Sequence, residues 1–172
     1  MAESYRLFLA LWPDERVRDK ITAHLKQASI TSYPGKPVSR ENLHITLRYI
    51  GSVEEPQLTC IRDVMAKISI TPFSLQLDHQ AYWSRPQVAW LGCHQIPQAL
   101  LQLVTDIESA LVECGFEPEP RSYVPHLTFK RKIKHFPATD IPPISWSVDA
   151  FALVVSESSS GGVRYSVLNR WS

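Results

Sequence analysis

One short pattern occurs twice in this chain, about 80 residues apart: a histidine and a threonine separated by a single apolar residue. The copies are Asn42-Leu43-His44-Ile45-Thr46-Leu47 and Val124-Pro125-His126-Leu127-Thr128-Phe129. Each sits in an alternating, strand-like window, and in a strand residues i and i+2 point to the same face. His and Thr therefore share one face, while Ile45 and Leu127 turn the other way, toward a core. Each copy follows an amphipathic helical segment and a Pro-containing loop, so the order helix, loop, His-x-Thr strand appears once in each half. No short repeat of solenoid type accompanies it.

The remaining segments fit around these two strands. Tyr5 to Trp12 reads as an opening strand, and Pro13 suits the first turn of a helix with Asp14 and Glu15 at its positive end. Val17, Ile21, Leu25 and Ala28 form the apolar stripe of that helix, and Ser32 to Pro37 is a loop. A strand over His44–Val53 leads to a helix near Glu55-Pro56 with Leu58, Ile61, Met65 and Ile68 on one face. Strands are expected at Phe73–Leu77 and Gln87–Cys93. A third helix follows Pro97 (Leu100, Val104, Ile107, Leu111), with Gly115 as its C-terminal stop. Strands at His126–Lys130, Trp146–Val155 and Tyr165–Leu168 complete an α+β pattern. The short connections predict a single domain over 1–172.

A chain of 172 residues with 44% hydrophobic and 20% charged side chains has the composition of a soluble globular protein. No run reaches the roughly 18–20 apolar residues of a membrane span. The segment Met1 to Leu7 lacks the basic-then-apolar build of a secretory leader, which points to the cytoplasm. Cys60, Cys93 and Cys114 show no metal-ligand spacing and are expected to be small buried apolar residues in a reducing compartment. The net charge is +1, but its distribution is uneven. From Glu119 to Asp140 no acidic residue intervenes, while Arg121, Lys130, Arg131, Lys132 and Lys134 accumulate with His126 and His135. Such a run is either a solvated basic face or an attractor for a phosphate-bearing ligand.

Two His-x-Thr strands side by side would supply a general acid, a general base and two hydroxyl donors, the set that hydrolysis of a cyclic phosphodiester needs. One imidazole takes a proton from water and the other, protonated, returns one to the departing ribose oxygen. Threonine hydroxyls can bond the non-bridging phosphoryl oxygens. The scheme requires no metal and no cofactor. With six histidines and eight threonines in the chain, two chance matches have a probability of roughly a few per cent, so the strand-like surroundings carry part of the weight.

On these residues the chain resembles the two-histidine phosphoesterase superfamily. Within it the chain is most similar to the bacterial RNA 2′,3′-cyclic phosphodiesterases, also called 2′-5′ RNA ligases. Arg6-Leu7-Phe8-Leu9-Ala10 resembles that branch's opening strand. Asn42 to Leu47 with Gly51 resembles its first motif, and Trp90-Leu91-Gly92 a middle strand. Arg121, Pro125-His126-Leu127-Thr128 and Arg131 resemble the second motif, and Arg164-Tyr165 and Arg170-Trp171 the ending. Lys130 departs from the pattern, in which a less basic pair such as Ala-Arg is common.

The resemblance implies a bilobal α+β fold: two pseudo-symmetric lobes of antiparallel sheet, helices outside, and a central cleft lined by one motif from each lobe. It also implies that His44 is the proton donor, His126 the proton acceptor, and the product an RNA 2′-phosphomonoester. Run backward, the same site would join a cyclic phosphate to a 5′-hydroxyl. The motifs themselves, being nearly equivalent, do not distinguish donor from acceptor.

Arg131 and Arg121 are candidates for phosphate contact, and Tyr49, Tyr82 and Trp83 for stacking on a base. Core packing is the competing reading, favoured for Trp90. His24, His79 and His94 read as exposed or locally satisfied, and His135 as part of the basic run. The expected partner is RNA ending in a 2′,3′-cyclic phosphate, met by a monomer with no membrane attachment. Alternatives are another cyclic nucleotide phosphate as substrate, a non-catalytic RNA-binding module, or a zinc site on His44 and His126. The zinc reading lacks a third ligand of suitable spacing.

Overall fold

The first strand, β1 (Ser4–Leu11), sends Leu7, Leu9 and Leu11 to one side and Phe8 and Ala10 to the other. This two-sidedness organises the molecule. The structure is a computed structural model that describes residues 3–172; Met1 and Ala2 of the opening segment lie outside it. After β1 come α1 (Glu15–Leu25), α2 (Ala28–Thr31), β2 (Lys36–Pro37), a single 3₁₀ turn (Arg40–Asn42), β3 (Ile45–Glu54) and α3 (Glu55–Met65). The second half holds β4 (Phe73–Trp83), β5 (Val88–Gly92), α4 (Gln98–Glu113), β6 (Leu127–Arg131), β7 (Thr139–Val148), β8 (Phe151–Ser159) and β9 (Gly162–Trp171).

All strands join one antiparallel sheet in the order β7-β4-β5-β6-β3-β1-β8-β9, with β2 added against β6. The two His-x-Thr strands, β3 and β6, are its centre and pair directly at Ile45 and Leu127. Outward from that pair the order is symmetric, with three further strands on each side. The two lobes are therefore two four-stranded halves meeting at one residue pair. Ile45 and Leu127 are fully buried, a burial worth about 1.5–3 kcal/mol each. It anchors both motifs from behind, as the alternation predicts.

The main core runs through both halves, from Leu7 and Leu9 to Leu77 and Trp146. Helices reach across: α4, from the second half, packs on β3, and α1, from the first, packs on β7. Edge strand β7 carries Pro142 and Pro143, residues tolerated where one side needs no ladder partner. No helix among the described residues is long and apolar enough to cross a membrane.

Several expectations are corrected. The first helical stripe breaks after Leu25, so Ala28 opens a separate turn whose buried residue is Ile30. The strand expected at Trp146–Val155 is two, because β7 and β8 pair with different neighbours and the chain turns between them. β4 runs on to Trp83 because β5 returns along it from Val88. His24 is half-buried, within 3.0 Å of Gln80 Oε1, rather than exposed.

The cysteines differ most. Cys60 and Cys114 form a disulfide with Cα atoms 5.8 Å apart, and only Cys93 is free and buried. The bonded pair is 54 residues apart in sequence. It is brought together because α3 and the end of α4 pack side by side, which spacing alone does not reveal.

Candidate functional site

His44 sits just before β3 and is held from three directions. Arg18, buried on α1, donates from Nε to the Pro13 carbonyl (3.1 Å) and from its guanidinium to the carbonyls of Arg40 and Leu43, the latter at 3.0 Å. That clamp fixes the turn from which His44 projects. The His44 Nδ1–H donates to the Asn42 carbonyl at 2.7 Å, which fixes the tautomer and leaves Nε2 as the acceptor. Nε2 receives the Thr46 hydroxyl at 3.0 Å. Around the ring stand Phe8 (4.8 Å between centroids), Tyr165 (5.3 Å, edge-on) and Trp12 (5.8 Å, stacked). Burial among these rings pushes the His44 pKa down to about 4; the positive charge of Arg131 adds to this, and the bond to Asn42 opposes it. The Asn42 side chain meanwhile pins the β8–β9 hairpin: it donates to the Val163 carbonyl (2.8 Å) and accepts from the Tyr165 amide (3.2 Å).

His126 is placed the same way on the other half. Its Nδ1–H donates to the Val124 carbonyl at 2.8 Å, which again leaves Nε2 as the acceptor. Trp83 meets the ring edge-on at 4.6 Å, and Trp90 stands behind at 6.5 Å. Room for Trp90 comes from Gly92, where a Cβ would lie 2.5 Å from the indole. The His126 pKa is also lowered, by burial first and then by Arg131. Tyr123 ties the two arms together, its hydroxyl donating to the Thr46 carbonyl at 3.1 Å.

His44, Thr46, His126 and Thr128 all line one cleft of about 950 Å³. Its walls carry Lys36, Arg85, Arg121, Arg131 and Lys132 and no carboxylate, a field suited to a phosphate. Trp83 lines it as well. Tyr49 does not: it lies in a neighbouring groove, is 53% exposed, and accepts a hydrogen bond from Arg6 at 2.9 Å. Arg121 is exposed and pairs with Glu119 at 2.8 Å. Lys130 points away from the cleft. It is buried, and its ammonium donates to the carbonyls of Ile30 (3.0 Å) and Tyr33 (2.6 Å).

The sequence reading overlooked Arg18, Asn42 as a tether, Lys36 and Arg85. Arg18 had a signal: it neighbours Val17 and stands three residues before Ile21, at the edge of the apolar stripe, where an arginine should not be idle. As for metals, the one group of three candidate ligands among the described residues is Asp78, His79 and His94, with ligand atoms within 4.8 Å of one another. None of the three lines the cleft. His79 and His94 stack at 4.3 Å, and His94 pairs with Asp140 at 2.7 Å.

Comparison with known proteins identifies the family. The family model described as the 2′-5′ RNA ligase superfamily matches residues 13–159. The RNA 2′,3′-cyclic phosphodiesterase of Escherichia coli K12 is 33% identical over 99% of this chain and 98% of its own length. That of Thermotoga maritima is 28% identical over 95% and 92%. Crystal structures of Escherichia coli LigT superpose with TM-scores of 0.87 in the apo form and 0.84 with 3′-AMP. They are 32% identical and cover 98–99% of this chain and 98% of theirs. With the family model matching residues 13–159 and relatives matched almost end to end, this chain belongs to the 2′-5′ RNA ligase superfamily.

Proposed function

We propose that this chain acts as a single catalytic domain that opens 2′,3′-cyclic phosphate ends of RNA to 2′-phosphomonoesters, without a metal. The observation that carries the reading is the matched pair of imidazoles in one cation-lined cleft. Each is locked through Nδ1 to a backbone carbonyl, with Nε2 left for proton transfer. The names of the relatives support the same substrate.

In this scheme His126 Nε2 accepts a proton from water as the oxygen attacks phosphorus. The bond from phosphorus to the ribose 3′ oxygen breaks, and His44 Nε2–H protonates that oxygen. The hydroxyls of Thr46 and Thr128 donate to the non-bridging oxygens, and Arg131 offsets their charge. Burial favours the neutral form of both imidazoles. A bound phosphate anion cancels the influence of Arg131 and favours the protonated form of His44. With a 5′-hydroxyl in place of water, the same steps join two strands through a 2′-5′ bond: the 5′ oxygen bonds to phosphorus, the bond to the 3′ oxygen breaks, and His44 protonates that oxygen. A cytoplasmic monomer fits this role. For the Cys60–Cys114 pair, such a location means an oxidised bond kept in a reducing surrounding, which thiol titration of freshly extracted protein would check.

The test is to incubate the protein, in excess EDTA, with an oligoribonucleotide ending in a 2′,3′-cyclic phosphate and to map the product. A 2′-phosphate formed at an undiminished rate is expected. Loss of activity on chelation with recovery on adding zinc or magnesium, or a 3′-phosphate product, would contradict the scheme.

A further inference from the structure

Beside the cleft runs a second groove of about 850 Å³, continuous with it through Thr46, Trp83, Arg121 and His126, which line both. Its character is different. Tyr49, Val112 and Val124 line it and are 53%, 50% and 47% exposed, half of the six large apolar side chains left open among the described residues. Exposed apolar side chains gathered in one place mark a binding surface. The charges here are already paired. Arg48 holds Glu108 with two contacts of 2.9 Å, and Arg121 holds Glu119. Apart from Arg121, which is paired with Glu119, the cleft presents Lys36, Arg85, Arg131 and Lys132 with no carboxylate in its wall, and the groove presents apolar surface with its charges paired.

A phosphate has its place in the first and gains nothing in the second. A flat, uncharged, partly apolar group suits the groove, and Tyr49, 53% exposed with the Arg6 guanidinium 5.8 Å from its ring centroid, offers aromatic surface for stacking. Val124 joins the two regions: its side chain lines the groove while its carbonyl orients His126. We propose that the groove holds the base and ribose of the nucleotide adjoining the one that carries the cyclic phosphate. The protein then reads at least two nucleotides of its RNA. The proposal rests on the reaction assigned above.

The experiment compares a dinucleotide ending in a 2′,3′-cyclic phosphate with the corresponding mononucleoside cyclic phosphate. The wild type should favour the dinucleotide in kcat/KM by roughly tenfold or more, the scale of one stacked base. Val112→Asp, on the exposed face of α4, should bring that preference to within about twofold while mononucleotide turnover stays within about twofold of wild type. Tyr49→Ala should do the same. Equal wild-type rates on the two substrates, or a preference that survives both substitutions, overturns the proposal. So does a preference that survives while the KM for a 5′-hydroxyl strand rises in ligation, since the groove then belongs to the incoming strand. Calorimetry with the mono- and dinucleoside 2′-phosphates asks the same question without turnover. If neither cyclic substrate is opened, the assigned reaction fails, and the binding contrast alone decides the groove.

Discussion

His44 and His126 occupy matching points of two half-sheets, yet their surroundings are unlike. His44 is walled by Phe8, Trp12 and Tyr165, receives the Thr46 hydroxyl on Nε2, and rests on a turn clamped by Arg18. His126 meets Trp83 and Trp90 on its side and draws its orientation from Val124. Equal motifs supply equal chemistry; unequal neighbours set how readily each ring holds a proton. Burial brings His44 down to about 4. Burial makes both rings reluctant to carry a proton, the assigned donor His44 included, and substrate must supply the correction.

The largest expected effects come from removing either ring. His44→Ala and His126→Ala should each lower kcat/KM roughly 10²- to 10⁴-fold, measured on a cyclic-phosphate oligonucleotide. The double variant should fall far less than the product of the two losses, because the rings act as a unit. Multiplying losses would mean that the two arms work independently.

The threonines sharpen the contrast. Thr46→Ala and Thr128→Ala should each lower kcat roughly 10- to 1000-fold with folding intact. Only Thr46 bonds its own histidine, so only Thr46→Ala should also move the pH profile of kcat/KM. A shift in both variants, or in neither, removes that asymmetry.

Stability against pH reads the difference without substrate. His44 resists protonation only while the protein is folded. Its contribution is therefore fully present above the ordinary 6.5 and is lost as pH falls from there toward about 4. The gap is worth roughly 3 kcal/mol. Urea denaturation at pH 7, 5.5 and 4 should show acid destabilisation that His44→Gln flattens more than His126→Gln does. Equal flattening would show that the two rings are equally buried in effect.

The smallest expected effect separates neighbours in the basic run. Arg131→Ala should raise KM about tenfold through a lost charged hydrogen bond, whereas Lys130→Met should leave KM unchanged, since Lys130 ties down the loop near Tyr33.

Lys130 also shows where the sequence stops being legible. A basic run looks the same whether its members point into a cleft or under a loop. Here the β5–β6 pairing shifts register between Ala89 and Trp90, so the strict alternation from Thr128 does not carry through to Lys130. The His-x-Thr strands were readable because one buried face forces a period of two. The α+β pattern was readable because apolar stripes survive in α1, α3 and α4. The ends of β4, β7 and β8 were not, because hairpin partners extend or divide strands regardless of local composition. Nor were Arg18's grip on the turn before His44 and the Cys60–Cys114 bond, both set by contacts between distant segments.

The division of labour between the two arms is tested most directly with a 2′,3′-cyclic substrate whose 3′ bridging oxygen is replaced by sulfur. The thiolate leaves without needing a proton. On that substrate His44→Ala should recover much of the lost rate, and His126→Ala should stay impaired, because water must still be deprotonated. Rescue of His126→Ala instead would reverse donor and acceptor, and rescue of neither would remove proton donation to the leaving group from the mechanism.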